Sequence, residues 1–165
     1  HALALTRLPN VIVSRTLSKS YALAGLRFGF AIASPTLVRE LNKVKDSYNC
    51  DALSIAAAAA AIGDQAWLAE NRAKILATRQ RLVAGMQALG FATVASQANF
   101  TWNVHPTRPA KPLYEELKRR RILVRYMNYP QWGEGLRISV GTDEQIDACM
   151  VLLKAILDHG AHGDY

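Results

Sequence analysis

An α/β fold is predicted for this chain of 165 residues by three features. Short β-branched or apolar runs alternate with longer helical stretches. Gly, Pro and Ser-Pro signals punctuate the boundaries. A run of alanines and a long interrupted apolar stripe separate two strand-bearing regions. The first region, to about Leu53, reads as the end of an α/β domain. The second, from about Gly90, reads as a compact unit of strands and helices.

The elements follow in order. Val11–Ser14 is β-branched, follows Pro9-Asn10 and reads as a buried strand. Arg27–Ala33 reads as a second strand, ended by Ser34-Pro35. Pro35 suits the first turn of a helix with Ser34 as its N-cap, running to about Lys45. Leu53–Ile62 is almost all alanine and apolar residues, so a helix buried on all sides is expected, broken by Gly63-Asp64. A longer helix spans Gln65 to Leu89, with Trp67, Ile75, Leu82, Met86 and Leu89 in its stripe and Gly90 as its stop. Phe91–Ala95 and Asn99–Val104 read as strands, Pro112–Arg121 as a helix, and Ile122–Tyr126 and Leu136–Val140 as strands. Asp143 is expected to cap a last helix to about Asp158. Gly160–Tyr165 reads as a frayed tail.

Composition narrows the class. Half the residues are apolar and a fifth charged, the mix of a soluble globular protein. The most apolar run, Ala56–Ile62, is far too short for a bilayer span, and no secretory signal opens the chain. The first residue is His1, which reads as a sign of a fragment. Cys50 and Cys149 stand far apart outside any CxxC pair, so no metal site is expected, and two reduced thiols in a cytoplasmic protein are. The net charge of +7 draws heavily on Lys118, Arg119, Arg120 and Arg121. Basic residues suit a helix C-terminus, and without interleaved aromatics they predict a solvated helix end, with no nucleic-acid partner.

The chemistry concentrates in Arg15–Phe30, RTLSKSYALAGLRFGF. Lys19 follows a predicted strand and lies between Ser18 and Ser20. Gly25 and Gly29 are expected to allow close backbone approach around Arg27. A lysine, several hydroxyls and an arginine within so short a stretch could hold a phosphate and offer an amine to an aldehyde. That amine must be neutral to attack, a state favoured by partial burial and a nearby cation. A P-loop is set aside, because no glycines precede the lysine.

The segment Thr16, Leu17, Ser18, Lys19, then Leu23, Ala24, Gly25, Leu26, Arg27 and Gly29 resembles the cofactor-lysine segment of the fold-type-I aminotransferases, and within them that of the histidinol-phosphate aminotransferases. Ile122–Thr142, ILVRYMNYPQWGEGLRISVGT, resembles the same family's later landmarks. The resemblance implies the end of a pyridoxal-phosphate (PLP) transferase large domain over residues 1–64, a connecting helix over 65–89, a small α/β domain over 90–160 and a tail over 161–165. Lys19 would carry pyridoxal 5'-phosphate as a Schiff base and shuttle the proton between the substrate α-carbon and cofactor C4′. Ser18 and Arg27 would bind the cofactor phosphate, with Thr16 assisting. Arg137 would clamp the substrate α-carboxylate, Arg125 would help bind a substrate phosphate, and Asn99 would lie beside the active site. Tyr48 and Asn49 fall in a loop that runs near the cofactor in such enzymes.

The implied reaction is amino transfer between L-histidinol phosphate and 2-oxoglutarate in histidine biosynthesis, by a cytoplasmic homodimer about twice this length. The aspartate facing the pyridinium nitrogen, a tyrosine and phosphate-cradling amides would precede His1, so this chain alone should not turn over. Three other readings stay open: an aromatic or other amino-acid aminotransferase, a threonine-phosphate decarboxylase, and a non-catalytic aminotransferase-like module bound to DNA through an upstream segment.

Overall fold

The computed structural model describes residues 2–159; His1 and the expected tail at Gly160–Tyr165 lie outside them. The chain divides into two compact units, His1–Arg72 and Ala73–Tyr165.

In the first unit a 3-10 turn, Ala2–Arg7, precedes an antiparallel pair, β1 (Val13–Thr16) and β2 (Gly29–Ile32), in register from Val13↔Ile32 to Thr16↔Gly29. The first strand starts two residues later than predicted, and only Val13 in it is buried. The expectation of a buried strand is therefore corrected: this sheet has two strands among the described residues, too few to cover a face. Arg27 lies outside β2. It ends a 3-10 turn, Ala24–Leu26, in the left-handed region at φ 54°. Gly29 is the glycine that close approach requires, because a Cβ there would meet the Arg15 carbonyl oxygen at 2.8 Å. Gly25 has open space instead, so its expected role falls away.

Helix α1 (Pro35–Val44) starts as predicted, with the Ser34 hydroxyl accepting from the Leu37 amide at 3.4 Å. Helix α2 (Ala52–Gly63) is capped by Asp51, whose carboxylate accepts from the Ser54 amide at 2.8 Å. Its predicted all-round burial fails. Only Ser54 and Ala58 are buried, and Leu53 is 79% exposed. Alanine favours the helix through its intrinsic propensity, which needs no burial.

Helix α3 (Gln65–Ala88) crosses the boundary between the units and ends in a Schellman turn. Gly90, at φ 85°, donates to the Gln87 carbonyl at 3.0 Å, and Phe91 donates to Met86 at 3.0 Å. The second unit then forms an antiparallel sheet of order β3-β4-β6-β5, from β3 (Ala92–Thr93), β4 (Phe100–Val104), β5 (Arg125–Tyr129) and β6 (Gly133–Ser139). Helices α4 (Ala110–Arg119) and α5 (Asp143–His159) and the end of α3 supply its core. Leu82 and Met86 meet Leu113 and Leu117, Leu136 and Ile138, and Ile146 and Leu153 there.

Several boundaries in this unit differ from the sequence reading: the strand predicted at Phe91–Ala95 shrinks to Ala92–Thr93, α4 starts two residues earlier than predicted, and β6 starts three residues earlier. The strand predicted at Ile122–Tyr126 begins at Arg125 and continues to Tyr129, where it pairs with Gly133 across a turn at Pro130–Trp132. Helix α5 is capped by Thr142 rather than Asp143: the Thr142 hydroxyl accepts from the Gln145 amide at 3.3 Å and Gln145 Oε1 accepts from the Thr142 amide at 3.0 Å, a capping box. Asp143 instead accepts from the Thr78 hydroxyl at 2.7 Å and pairs with Arg81, which also holds Asp147. The Thr78 hydroxyl first, and then Arg81, hold the Asp143 carboxyl below its usual range. The basic stretch closing α4 is exposed, as expected. Arg119 and Arg120 both hydrogen-bond Glu116, whose carboxyl falls to about 2. Arg121 sits left-handed at φ 64° in a second Schellman turn.

Candidate active site

The lysine segment is the excursion between β1 and β2. Its base is pinned by the Leu17 amide donating to the Phe28 carbonyl at 3.3 Å, with Leu17 itself buried at 2% exposure. At the exit of β1, Thr16 Oγ1 accepts from the Ser18 amide at 3.2 Å and donates to Ser18 Oγ at 2.8 Å. That arrangement fixes the Ser18 hydroxyl and leaves its own proton for an outside acceptor. Lys19 follows at once. Its carbonyl accepts from the Ala22 amide at 3.1 Å, and its ammonium has no hydrogen-bond or ion-pair partner among the described residues. Its side chain is exposed among the described residues of this chain.

Two residues of this excursion, Ala22 at φ 56° and Arg27 at φ 54°, are non-glycine residues in the left-handed region. Each costs about 1–2 kcal/mol relative to ordinary backbone, and such strain gathers where a side chain must be aimed. The Arg27 guanidinium spends one donor on the Ala24 carbonyl at 2.8 Å. Its remaining donors, with the Ser18 hydroxyl, suit phosphate oxygens, while the uncommitted Lys19 amine suits an aldehyde. The donors of this unit thus fit pyridoxal phosphate chemically.

In the second unit the outer face of the sheet carries Arg125 and Arg137. Arg125 and Arg137 are direct partners across β5 and β6, and Trp102 is opposite Arg137 on β4. Directly opposed like charges destabilise a sheet unless an anion joins them. Arg137 lies over the Phe100 ring, 4.7 Å from its centroid, and its buried Nε lacks a hydrogen-bond partner among the described residues. A buried guanidinium nitrogen left unpaired costs about 1–3 kcal/mol. Gly135 makes room for this face, because a Cβ there would strike the Trp102 ring at 2.7 Å. Asn99 is exposed at the mouth of β4, where its carbonyl accepts from the Val140 amide at 2.8 Å.

The structure thus groups Thr16, Ser18, Lys19 and Arg27 in one unit and Asn99, Arg125 and Arg137 in the other. Phe100, Trp102 and Gly135 escaped the sequence reading. The alternation in FTWNV could have put Phe100 and Trp102 on one face, but the register against Arg137 comes only from the pairing. Among the described residues no group of His, Cys, Asp and Glu could hold a metal, and no single helix is long and apolar enough to cross a membrane.

Comparison with known proteins converges on one family. Residues 2–153 match the family described as Aminotransferase class I and II. A histidinol-phosphate aminotransferase of Rhodopirellula baltica is 57% identical over 145 residues, 88% of this chain and 40% of that protein. One of Gluconacetobacter diazotrophicus is 51% identical over 153 residues, 91% of this chain and 42% of that protein. Among solved structures, the histidinol-phosphate aminotransferase of Sinorhizobium meliloti in complex with pyridoxal-5'-phosphate superposes with a TM-score of 0.82 at 29% identity, over 92% of this chain and 42% of that one. The chain therefore spans about two fifths of the length of these curated relatives.

Proposed function

Because the chain belongs to the aminotransferase class I and II family, we propose that it is the C-terminal part of a PLP-dependent enzyme that moves an amino group between L-histidinol phosphate and 2-oxoglutarate. Residues 1–64 form the end of the cofactor-binding large domain, 65–89 the connecting helix and 90–160 the small domain. The observation that carries the reading is the arginine pair on the outer sheet face. Two opposed cations, one with an unpaired buried Nε, call for a substrate with two anionic groups. An amino donor bearing a phosphate supplies them.

Bound pyridoxal phosphate supplies the aldehyde and the electron sink of this chemistry. The chain's own residues do the rest. Ser18 and Arg27 hold the cofactor phosphate, with the Thr16 hydroxyl fixing Ser18. Lys19 Nζ would hold the cofactor and, when free, would move the proton of the substrate α-carbon. Arg137 receives the donor carboxylate, a bidentate task for which a guanidinium is shaped. Arg125 takes the donor phosphate, and Asn99 lines the approach. The reading extends to a cytoplasmic homodimer.

The test uses a protein of the relatives' full length that contains this chain. Glutamate should form from 2-oxoglutarate with histidinol phosphate as donor. Turnover with phenylalanine and none with histidinol phosphate would replace this reading with the aromatic one, and carbon dioxide release from threonine phosphate would replace it with the decarboxylase.

A further inference from the structure

We propose that Ser54 is a positioning residue for Arg27, and through it for the cofactor phosphate; this rests on the reading above that Arg27 binds that phosphate. Arg27 occupies backbone space that an arginine avoids, at φ 54°, so something outside the residue must hold the peptide that precedes it. The Leu26 carbonyl, half of that peptide, accepts from Ser54 Oγ at 3.1 Å across 28 positions of sequence. Ser54 is buried at 4% exposure. Asp51 caps α2 by accepting from the Ser54 amide at 2.8 Å, so the cap does not depend on the hydroxyl alone. The hydroxyl proton is shared between Asp51 Oδ2, at 2.6 Å, and the Leu26 carbonyl.

Orienting that carbonyl fixes the plane of the Leu26–Arg27 peptide, and the Ala24 carbonyl holds the guanidinium end at 2.8 Å. Arg27 is thereby fixed at both ends. A cleft of about 370 Å³ opens beside it, lined by Arg27, Phe28, Asn49, Asp51 and Ser54 among others.

The test titrates the full-length apoprotein with pyridoxal phosphate and with pyridoxal, which lacks the phosphate, by absorbance. Ser54→Ala keeps the Asp51 cap and raises helix propensity, so α2 remains formed. It should weaken pyridoxal phosphate about three- to tenfold, the effect of one hydrogen bond. Pyridoxal affinity should not change, and Ser54→Ala should add nothing in an Arg27→Ala background. Equal weakening of both ligands, or a full additional loss in the Arg27→Ala background, would overturn the proposal as a general loss of structure. Arg27→Ala should itself erase most of the preference for the phosphorylated ligand. If that preference survives, the assignment of Arg27 to the phosphate fails and takes this proposal with it. If Arg27→Ala erases it and Ser54→Ala leaves it intact, the Ser54 proposal alone fails.

Discussion

The two units spend their residues differently. In Ala73–Tyr165, apolar side chains from three helices and β6 close on one another, and Leu82, Met86, Leu117, Leu136 and Leu153 are fully buried. Among the described residues of His1–Arg72, only Val13, Leu17, Ser54 and Ala58 are buried, while Leu3, Leu5, Ile12, Leu53 and Ile55 stand about half exposed or more. The second unit holds its shape by packing. The first holds its reactive segment by hydrogen bonds: Leu17 to Phe28, Thr16 with Ser18, Arg27 to Ala24 and Ser54 to Leu26. A left-handed arginine in the same excursion as an uncommitted lysine is thus held by local polar contacts, and a few substitutions should release it without unfolding the neighbouring unit.

That contrast can be broken by mutation. The largest effect should come from the core of the second unit: Leu136→Ala should cost about 2–5 kcal/mol in urea denaturation, because it leaves a cavity among α4, α5 and β6. A loss under about 1 kcal/mol would mean the core repacks and the contrast is overstated. Next, in the full-length protein, Arg137→Lys should raise KM for the amino donor about tenfold or more, since an ammonium cannot make the two parallel bonds of a guanidinium to carboxylate. An unchanged KM would remove Arg137 from the substrate.

Smaller effects sharpen the picture. Gly90 and Arg121 occupy the same position in two Schellman turns, yet only one is glycine. Arg121→Gly should stabilise the second unit by about 1 kcal/mol in thermal denaturation. Glu116 has its folded value lowered from 4.5 to about 2 by Arg119 and Arg120. Its contribution is therefore present above the unfolded value and is lost as pH falls from about 4.5 to about 2. Acid titration of stability should be shallower in Glu116→Gln, and added salt should narrow the difference between the two proteins. The smallest effect belongs to the first unit: Leu53→Ala, at a residue 79% exposed, should move stability by no more than about 0.5 kcal/mol.

What could be read in the sequence was local. The Ser34-Pro35 cap and the Gly90 stop each depend on neighbouring residues, and the structure keeps both. The lysine segment was legible because its residue types lie within one short run. What the sequence withheld depends on pairing across distance. The register that opposes Arg125 to Arg137, the Trp102 ring over Gly135 and the reach of Ser54 to Leu26 have no signature in local spacing. The cap of α5 was misplaced for a subtler reason. Thr142-Asp143-Glu144-Gln145 offers two capping residues, and the reciprocal bond to Gln145 favours the threonine, which frees Asp143 for Thr78 and Arg81.

The central claim is that Lys19 carries the cofactor. The most direct measurement incubates the full-length protein containing this chain with pyridoxal phosphate, reduces it with borohydride and maps the modified peptide by mass. A phosphopyridoxyl group confined to Lys19 is the predicted result. Selective labelling of another lysine, such as Lys43 or Lys45, or no selective labelling at all, would contradict it.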